Sequence, residues 1–433
     1  MQVRGFDMAR ILIWRPIVKG NELDIFNKTE YDSLYEHIRV NFNGVCPNWG
    51  NKLWFMGLYS QINDSNNQIT FRSSETPEEI NDNYDMIIYP MANFFGREWA
   101  GGMEALAEVF EKIKIPTYII ACGVQADDYS DLDTLVSDIG DRAKKFISAI
   151  YNTGGEFALR GEFSKEFFVK LGFDSAVVTG CPSLYQLGRN FRMNSLEKVE
   201  MSELKPLFNG KMSLYSKAAL YFSESEYFDQ DHYFPMLYDE TFLNDRSLRA
   251  KLRFYRSFGL ESALYLSEGR LKHIADMDDW YAYIKKSRFN YSFGTRIHGS
   301  IMPILSGIPA TVFAIDTRTQ EMAEFYNIPC VRAKGNECLN ERDVYKLYLE
   351  ADYTKFNQTY EEKYLKYESF LRERGIVSKI NENNTFLKEE NGNDYFDRFI
   401  KNREEFKEFY KELKRIRPLL ALGDTVMKLK EKL

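Results

Sequence analysis

The stretch Phe289-Asn-Tyr-Ser-Phe-Gly-Thr-Arg-Ile-His-Gly299 reads as an apolar strand that ends in a glycine-flanked turn and opens a helix. Phe289 to Phe293 supplies the strand, and Gly294 and Gly299 let the backbone turn sharply and approach a ligand. Ser300 to Leu305 continues as helix until Gly307, and Ala310 to Ile315 is the next strand. Strand, helix, strand at this spacing is the unit of a parallel α/β sheet. In such sheets chemistry gathers at the carboxyl ends of the strands, and Arg296 and His298 stand there, beside an amide-rich helix start that favours an anion.

The same alternation runs through the first half of the chain. Apolar runs at Arg10 to Trp14, Met86 to Tyr89, Thr117 to Ala121, Phe157 to Leu159 and Ala176 to Val178 are separated by segments of helical period. The later runs end in turn chemistry: Pro90 to Asn93, Cys122 to Gln125, Arg160 to Glu162 and Thr179 to Pro182. From Gln186 to Leu207 the composition becomes polar with mixed charge, as expected of an inter-domain connection. The resulting division is an N-terminal α/β domain over 1–190, a second α/β domain over 208–347, and a helical tail over 348–433.

In that tail Tyr360, Tyr364, Tyr367 and Leu371 fall on one helix face that stops at Gly375. Beyond Phe396 the residues Phe399, Phe406, Tyr410, Leu413 and Ile416 accompany a segment in which Lys and Arg outnumber Asp and Glu. Two readings stand: a basic amphipathic end resting on an anionic membrane or partner, and a solvated helix packed along one stripe.

With 433 residues, 44% of them apolar and 15% aromatic, the chain can build two packed domains and an appendage. A net charge of −7 argues against general nucleic-acid binding, which needs a basic face to displace counterions. Five cysteines, at 46, 122, 181, 330 and 338, are odd in number and lack metal-ligand spacing, so reduced thiols of a cytoplasmic chain are expected and zinc is not. The apolar patch Ile11 to Trp14 is too brief for a secretory signal. The longest uncharged run, 17 residues between His298 and Asp316, is broken by Gly307 and Pro309, so no membrane span is expected.

Taken in order, Asn48-Trp-Gly-Asn51, Leu159-Arg-Gly-Glu162, Gly180-Cys-Pro-Ser183, Gly294-Thr-Arg-Ile-His-Gly299, Gly307-Ile-Pro309 and Asp316-Thr-Arg318 resemble the polysaccharide pyruvyl transferase family. The likeness spans about residues 40 to 330, is weak over Asn194 to Phe289, and does not extend into the tail. It implies two Rossmann-like domains in a GT-B-like arrangement, an active cleft between them, and transfer of pyruvate from phosphoenolpyruvate to a sugar as a cyclic ketal. The acceptor would belong to a surface or capsular polysaccharide or its lipid-linked precursor, and no metal or cofactor beyond the donor is implied. The enzyme would be cytoplasmic, with the tail as a means of peripheral contact at the inner membrane face.

The residues themselves suit such chemistry. Forming a ketal from an enol phosphate requires one proton donor to carbon and several cations for a trianionic donor. His298 can exchange a proton near neutral pH, and a bound phosphate would raise its pKa. Arg296 and Arg160 can each meet two oxygens of a phosphate or carboxylate, from opposite sides of the cleft. Arg160 next to Glu162 also reads as a local ion pair. Asn48 and Asn51 can hold donor or sugar through their amides, or simply shape the turn. Arg318 is a further cation past a second-domain strand. Asp316 reads as the cap of the helix beginning near Thr319, with a carboxylate that could also serve an acceptor hydroxyl. Cys181 reads as a packed thiol with no base in view. His37, His232 and His273 take core or surface roles, as do most of the 28 Tyr and 33 Phe, any of which could stack on a sugar.

Two other functions fit the sequence. A GT-B glycosyltransferase would share the architecture and the cationic cleft but would carry binders for a base and a ribose, and no such fingerprint is evident. A non-catalytic glycan-assembly factor would depend on its basic tail.

Overall fold

The computed structural model describes residues 8–14, 48–72, 74–230, 233, 236–237, 242–274, 276–333, 338–380, 384–389 and 403–430. His37, His232, Cys46 and Phe399 lie outside these.

The runs read as strands are buried on nearly every position, which is what a sheet covered on both faces requires. Five of them, with β2 added, form the first sheet: β1 (Ala9–Ile13), β2 (Asn67–Phe71), β3 (Met86–Pro90), β4 (Thr117–Cys122), β5 (Glu156–Leu159) and β6 (Val177–Val178). Their order is β2-β1-β3-β4-β5-β6, and every pairing is parallel. The second sheet uses β7 (Pro206–Asn209), β8 (Glu226–Phe228), β9 (Leu271–Lys272), β10 (Tyr291–Gly294), β11 (Ala310–Ala314) and β12 (Cys330–Arg332). Its order is β12-β11-β10-β7-β8-β9, again all parallel. Two such sheets with covering helices are the pair of Rossmann-like domains in the expected GT-B-like arrangement.

Differences from the sequence reading are local. The polar stretch taken as a connection up to Leu207 already contains the start of β7, whose Pro206 and Leu207 pair with Tyr291 and Ser292. The helix after β10 begins three residues earlier than expected, at Ile297, with Arg296 as its cap. Strands β2, β8, β9 and β12 had no legible apolar run, being two to five residues long and partly polar.

Eight helices matter for the site: α1 (Gly50–Ile62), α2 (Glu162–Lys170), α3 (Leu248–Glu268), α4 (Ile297–Leu305), α5 (Thr317–Tyr326), α6 (Thr354–Glu373), α7 (Arg403–Arg415) and α8 (Arg417–Lys430). The tail divides between the two domains. The tyrosine face of α6 returns to the first domain: Tyr367 stacks on Tyr185 at 5.0 Å and its hydroxyl donates to Gln61 Oε1 at 2.9 Å. Tyr360 donates to the carbonyls of Leu184 and Gly188, and Arg374 pairs with Glu156 of β5. Helices α7 and α8 instead pack on α3 of the second domain, through Phe409 edge-on to Phe254 and through Glu412, which binds Arg246 and Lys251. Phe406, Phe409 and Leu413 are the buried stripe of α7, as the packed-helix reading anticipates. No described helix is long and apolar enough to cross a membrane.

Candidate active site

The domains meet where the carboxyl ends of β4 and β5 face the start of α5. Thr317 joins them: its hydroxyl donates to Val124 O at 2.9 Å and accepts from Ala126 N at 3.0 Å. Four residues on, Glu321 reaches into the first domain and accepts from Ser164 N at 2.9 Å and Ser164 Oγ at 2.7 Å. Tyr326, at the far end of α5, donates to Cys181 O at 2.9 Å and accepts from Cys181 N at 2.7 Å. That contact needs Gly180: its φ is +78°, and a Cβ there would lie 2.3 Å from the Tyr326 hydroxyl.

Around this junction the structure gathers Arg160, His298, Arg318 and Glu321. Arg160 follows β5 and is 3% exposed, and its Nε and Nη2 make no hydrogen bond. The Glu162 partner that the sequence allowed is instead exposed at the start of α2. Buried guanidinium donors without acceptors cost stability unless a ligand supplies them. Arg318 carries the same signature more weakly: Nη2 donates to Asp316 at 2.5 Å, while its buried Nε has no partner.

His298 is the second residue of α4 and is buried. Burial, and then the charges of Arg160 and Arg318, hold its pKa well below the ordinary value, so the unliganded imidazole is neutral. Its Nε2 lies 3.8 Å from Cys181 Sγ, and Ser183 donates to that sulfur at 3.1 Å. Cys181 therefore does have a base beside it, one that only the fold supplies, 117 residues away along the chain.

Glu321 was not visible as a site residue in the sequence. Burial pushes its carboxyl up to about 8, against the opposing Ser164 hydrogen bonds and the Arg160 charge. A carboxyl that keeps its proton at neutral pH does not neutralise Arg160, whose charge remains for a ligand. Gln230 was missed as well: it is buried, its Nε2 has no hydrogen bond, and Cβ atoms added at Gly50 or Gly299 would each lie 2.2 Å from its amide. Gly50 also brings α1 against His298, since its Cβ would stand 3.1 Å from that of the histidine.

The other candidates fall as follows. Asn48 Oδ1 accepts from Gly50 N at 2.9 Å, and Asn51 Oδ1 accepts from the Trp54 indole at 3.3 Å, so both side chains shape the entry to α1 beside the histidine. Asp316 caps α5, accepting from Thr319 N at 2.9 Å. Although burial opposes it, Arg318 and Thr319 bring the Asp316 carboxyl below its usual range. Arg296 caps α4: its backbone N–H donates to Asn209 Oδ1 at 2.9 Å, and the residue lines a cavity on the second domain.

A family model for polysaccharide pyruvyl transferases matches residues 23–317, which includes Arg160, Cys181, Arg296 and His298. The chain belongs to the polysaccharide pyruvyl transferase family. As a pyruvyl transferase, it is a transferase acting in the building of polysaccharide. No curated protein matches this pyruvyl transferase significantly in sequence. Among solved structures, the S. aureus MnaA–UDP complex superposes with a TM-score of 0.41 at 12% identity, covering 86% of this chain and 98% of the other. A UDP-N-acetylglucosamine 2-epimerase gives 0.40 at 11% identity, covering 86% and 97%.

Proposed function

We propose that the protein transfers pyruvate from phosphoenolpyruvate to two hydroxyls of one sugar, closing a cyclic ketal on a surface polysaccharide or its precursor. The observation that carries this reading is Arg160, a buried guanidinium with two unpartnered nitrogens whose charge bears on His298.

Arg160 and Arg318 receive the donor's phosphate and carboxylate. Their charges depress His298 in the empty site, and an anion between them cancels that field, so donor binding lets the histidine take up a proton. His298 then gives the proton to the methylene carbon. The double-bond electrons form the new C–H bond, and the adjacent carbon gains cationic character that its oxygen substituent shares. One sugar hydroxyl adds there and its proton leaves to a base, a role His298 can fill once deprotonated. The second hydroxyl closes the ring as the carbon–oxygen bond to phosphate breaks, and its proton departs with phosphate. One donor and one diol give one ketal and one phosphate, with no cofactor in the balance. Gln230 and the Asn48 turn lie where the sugar would approach.

The test is incubation of the full-length protein with phosphoenolpyruvate and a panel of simple and lipid-linked glycosides. Acceptor-dependent phosphate release together with a pyruvate adduct of the sugar is expected. Phosphate release without an adduct, or no reaction across a broad panel, would overturn the reading.

A further inference from the structure

The loop from Thr179 to Ser183 follows β6 in the first domain, and contacts from three side chains hold its backbone in place. Tyr185 donates to Thr179 O at 2.8 Å, Gln61 of α1 donates to Pro182 O at 3.2 Å, and Tyr326 of α5 binds both the N–H and the carbonyl of Cys181. Tyr326 belongs to the second domain, which also carries His298 on α4. The Cys181 sulfur, fully buried, is therefore fixed relative to the histidine by the histidine's own domain. Ser183 donates to it at 3.1 Å, and His298 Nε2 stands 3.8 Å from it.

With the Ser183 hydrogen on the sulfur, the thiol hydrogen is directed at Nε2. A thiol is both a weak donor and a weak acceptor, which suits the partner of a ring that changes charge. It donates to Nε2 while the imidazole is neutral and accepts from Nε2–H once the ring has taken up a proton. A carboxylate in its place would bind the imidazolium permanently and oppose the donor anion, and a lysine would repel the imidazolium. The hydrogen bond made by one ring nitrogen sets which of the two carries the proton. With Nε2 accepting, the neutral ring holds its hydrogen on Nδ1, across Cε1 and directed away from the sulfur. Turning the ring over about Cβ–Cγ exchanges Nδ1 with Cδ2 and Nε2 with Cε1, so a turned ring offers carbon where the reaction needs nitrogen. Gly50 packs α1 against the histidine Cβ, at 3.1 Å from a Cβ added there, but does not restrain that rotation.

We infer that Cys181 is a positioning residue for His298: its sulfur holds Nε2, fixes the neutral ring as the Nδ1–H tautomer, and leaves Nδ1 as the nitrogen that delivers the proton to the donor's methylene carbon. The delivery rests on the pyruvyl-transfer reading, whereas the tautomer is a property of the protein alone. In the loaded ring both nitrogens carry hydrogen. Transfer to carbon breaks the Nδ1–H bond, Nε2–H stays against the sulfur, and the bared Nδ1 then takes the proton of the attacking hydroxyl. The sulfur itself forms no bond to substrate.

Two substitutions in the full-length protein separate orientation from packing. Cys181→Ala removes both hydrogen-bonding functions and Cys181→Ser restores them in a smaller atom, while the Tyr326 clamp, being to backbone, is kept in both. With isotope-labelled histidine, the ring nitrogen shifts in NMR spectra of the unliganded protein report the tautomer, and the His298 signals are identified by their loss in His298→Gln. The wild-type ring is expected as Nδ1–H, with a share of Nε2–H appearing in Cys181→Ala and a return to Nδ1–H in Cys181→Ser. In acceptor-dependent phosphate release the alanine variant should lose about ten- to a hundredfold in kcat, part of what a positioned acid contributes, with KM for phosphoenolpyruvate within about twofold. The serine variant should recover most of that loss. A wild-type Nε2–H ring, or an alanine variant with the tautomer unchanged, overturns the inference. A serine variant no better than alanine does the same, because that is the behaviour of a thiol that only fills space. Should the alanine variant fail to fold, the wild-type tautomer and the serine variant still decide. The expected ring in a protein that shows no pyruvyl transfer would sink the transfer reading and leave the orientation of the ring standing.

Discussion

A histidine that is to protonate carbon must first be given a proton, and in the empty site His298 is held neutral by burial and by two arginines. In the proposed reaction the same arginines that depress it receive the donor, so that donor binding and acid loading would be one event. His298→Ala should therefore abolish acceptor-dependent phosphate release while leaving phosphoenolpyruvate affinity by calorimetry within a small factor of wild type. Turnover that survives this change would remove the acid assignment. Arg160→Ala should weaken phosphoenolpyruvate by roughly ten- to a hundredfold, the worth of charge-assisted bonds from a buried guanidinium. It should also raise the His298 pKa, followed by NMR titration of the ring, because one of the two depressing charges is gone. An unmoved ring would show that Arg160 does not act on the histidine. At this scale the Arg-Ile-His turn and Arg160 could be read from the chain, because their residue types carry the chemistry. Glu321, Gln230 and the Cys181–His298 contact could not, since each depends on a neighbour more than a hundred residues away or on burial that no local pattern reports.

Among elements, the turn between β10 and α4 is the most constrained. Gly294 lies so close to β7 that an added Cβ would meet the Asn209 carbonyl oxygen at 2.2 Å, and the Asn209 side chain in turn holds the Arg296 backbone N–H. Backbone cannot rotate aside, so Gly294→Ala should cost about 1–3 kcal/mol in chemical denaturation and misplace the head of α4. Wild-type stability for this variant would mean that β7 and β10 are less tightly coupled than the structure has them. The strands of the first sheet other than β2 were legible because continuous apolar runs are what a doubly covered parallel sheet demands. The short second-sheet strands β8 and β9 were not, because their positions are set by neighbours rather than by their own sequence. The tail followed the same rule: the tyrosine face of α6 was evident from its period, whereas which domain it would cover was not.

For the whole molecule, the domain junction carries a titration. Glu321 has a folded-state pKa of about 8, above its ordinary 4.5, so the stability its protonated form contributes is complete below that ordinary value and is lost as pH rises through about 8. Lys52, brought down to about 8 from 10.5 by burial, works in the opposite sense at higher pH, between those two values, and the comparison with a variant isolates the carboxyl. Glu321→Gln should be stabilised relative to wild type by an amount that grows between the ordinary 4.5 and about 8 and levels off above that, measured as the difference in Tm. A difference that stays flat with pH would place the Glu321 titration elsewhere.

The return of α6 to the first domain has a consequence for how the protein comes into being. Tyr360, Tyr364 and Tyr367 are buried against Tyr185 and the segment around Leu184, yet they are among the later residues to be synthesised. While a ribosome is still making the second domain, the first has its sheet but lacks that cover, and its apolar face at Tyr185 stands open to solvent or to a chaperone. Completion of the first domain is thus deferred until the second has been made, which ties the two halves of the cleft to a single maturation step. A chain stopped before Thr354 should expose that face and bind a hydrophobic dye such as ANS, and a synthetic peptide spanning Thr354–Glu373 added in trans should suppress the signal.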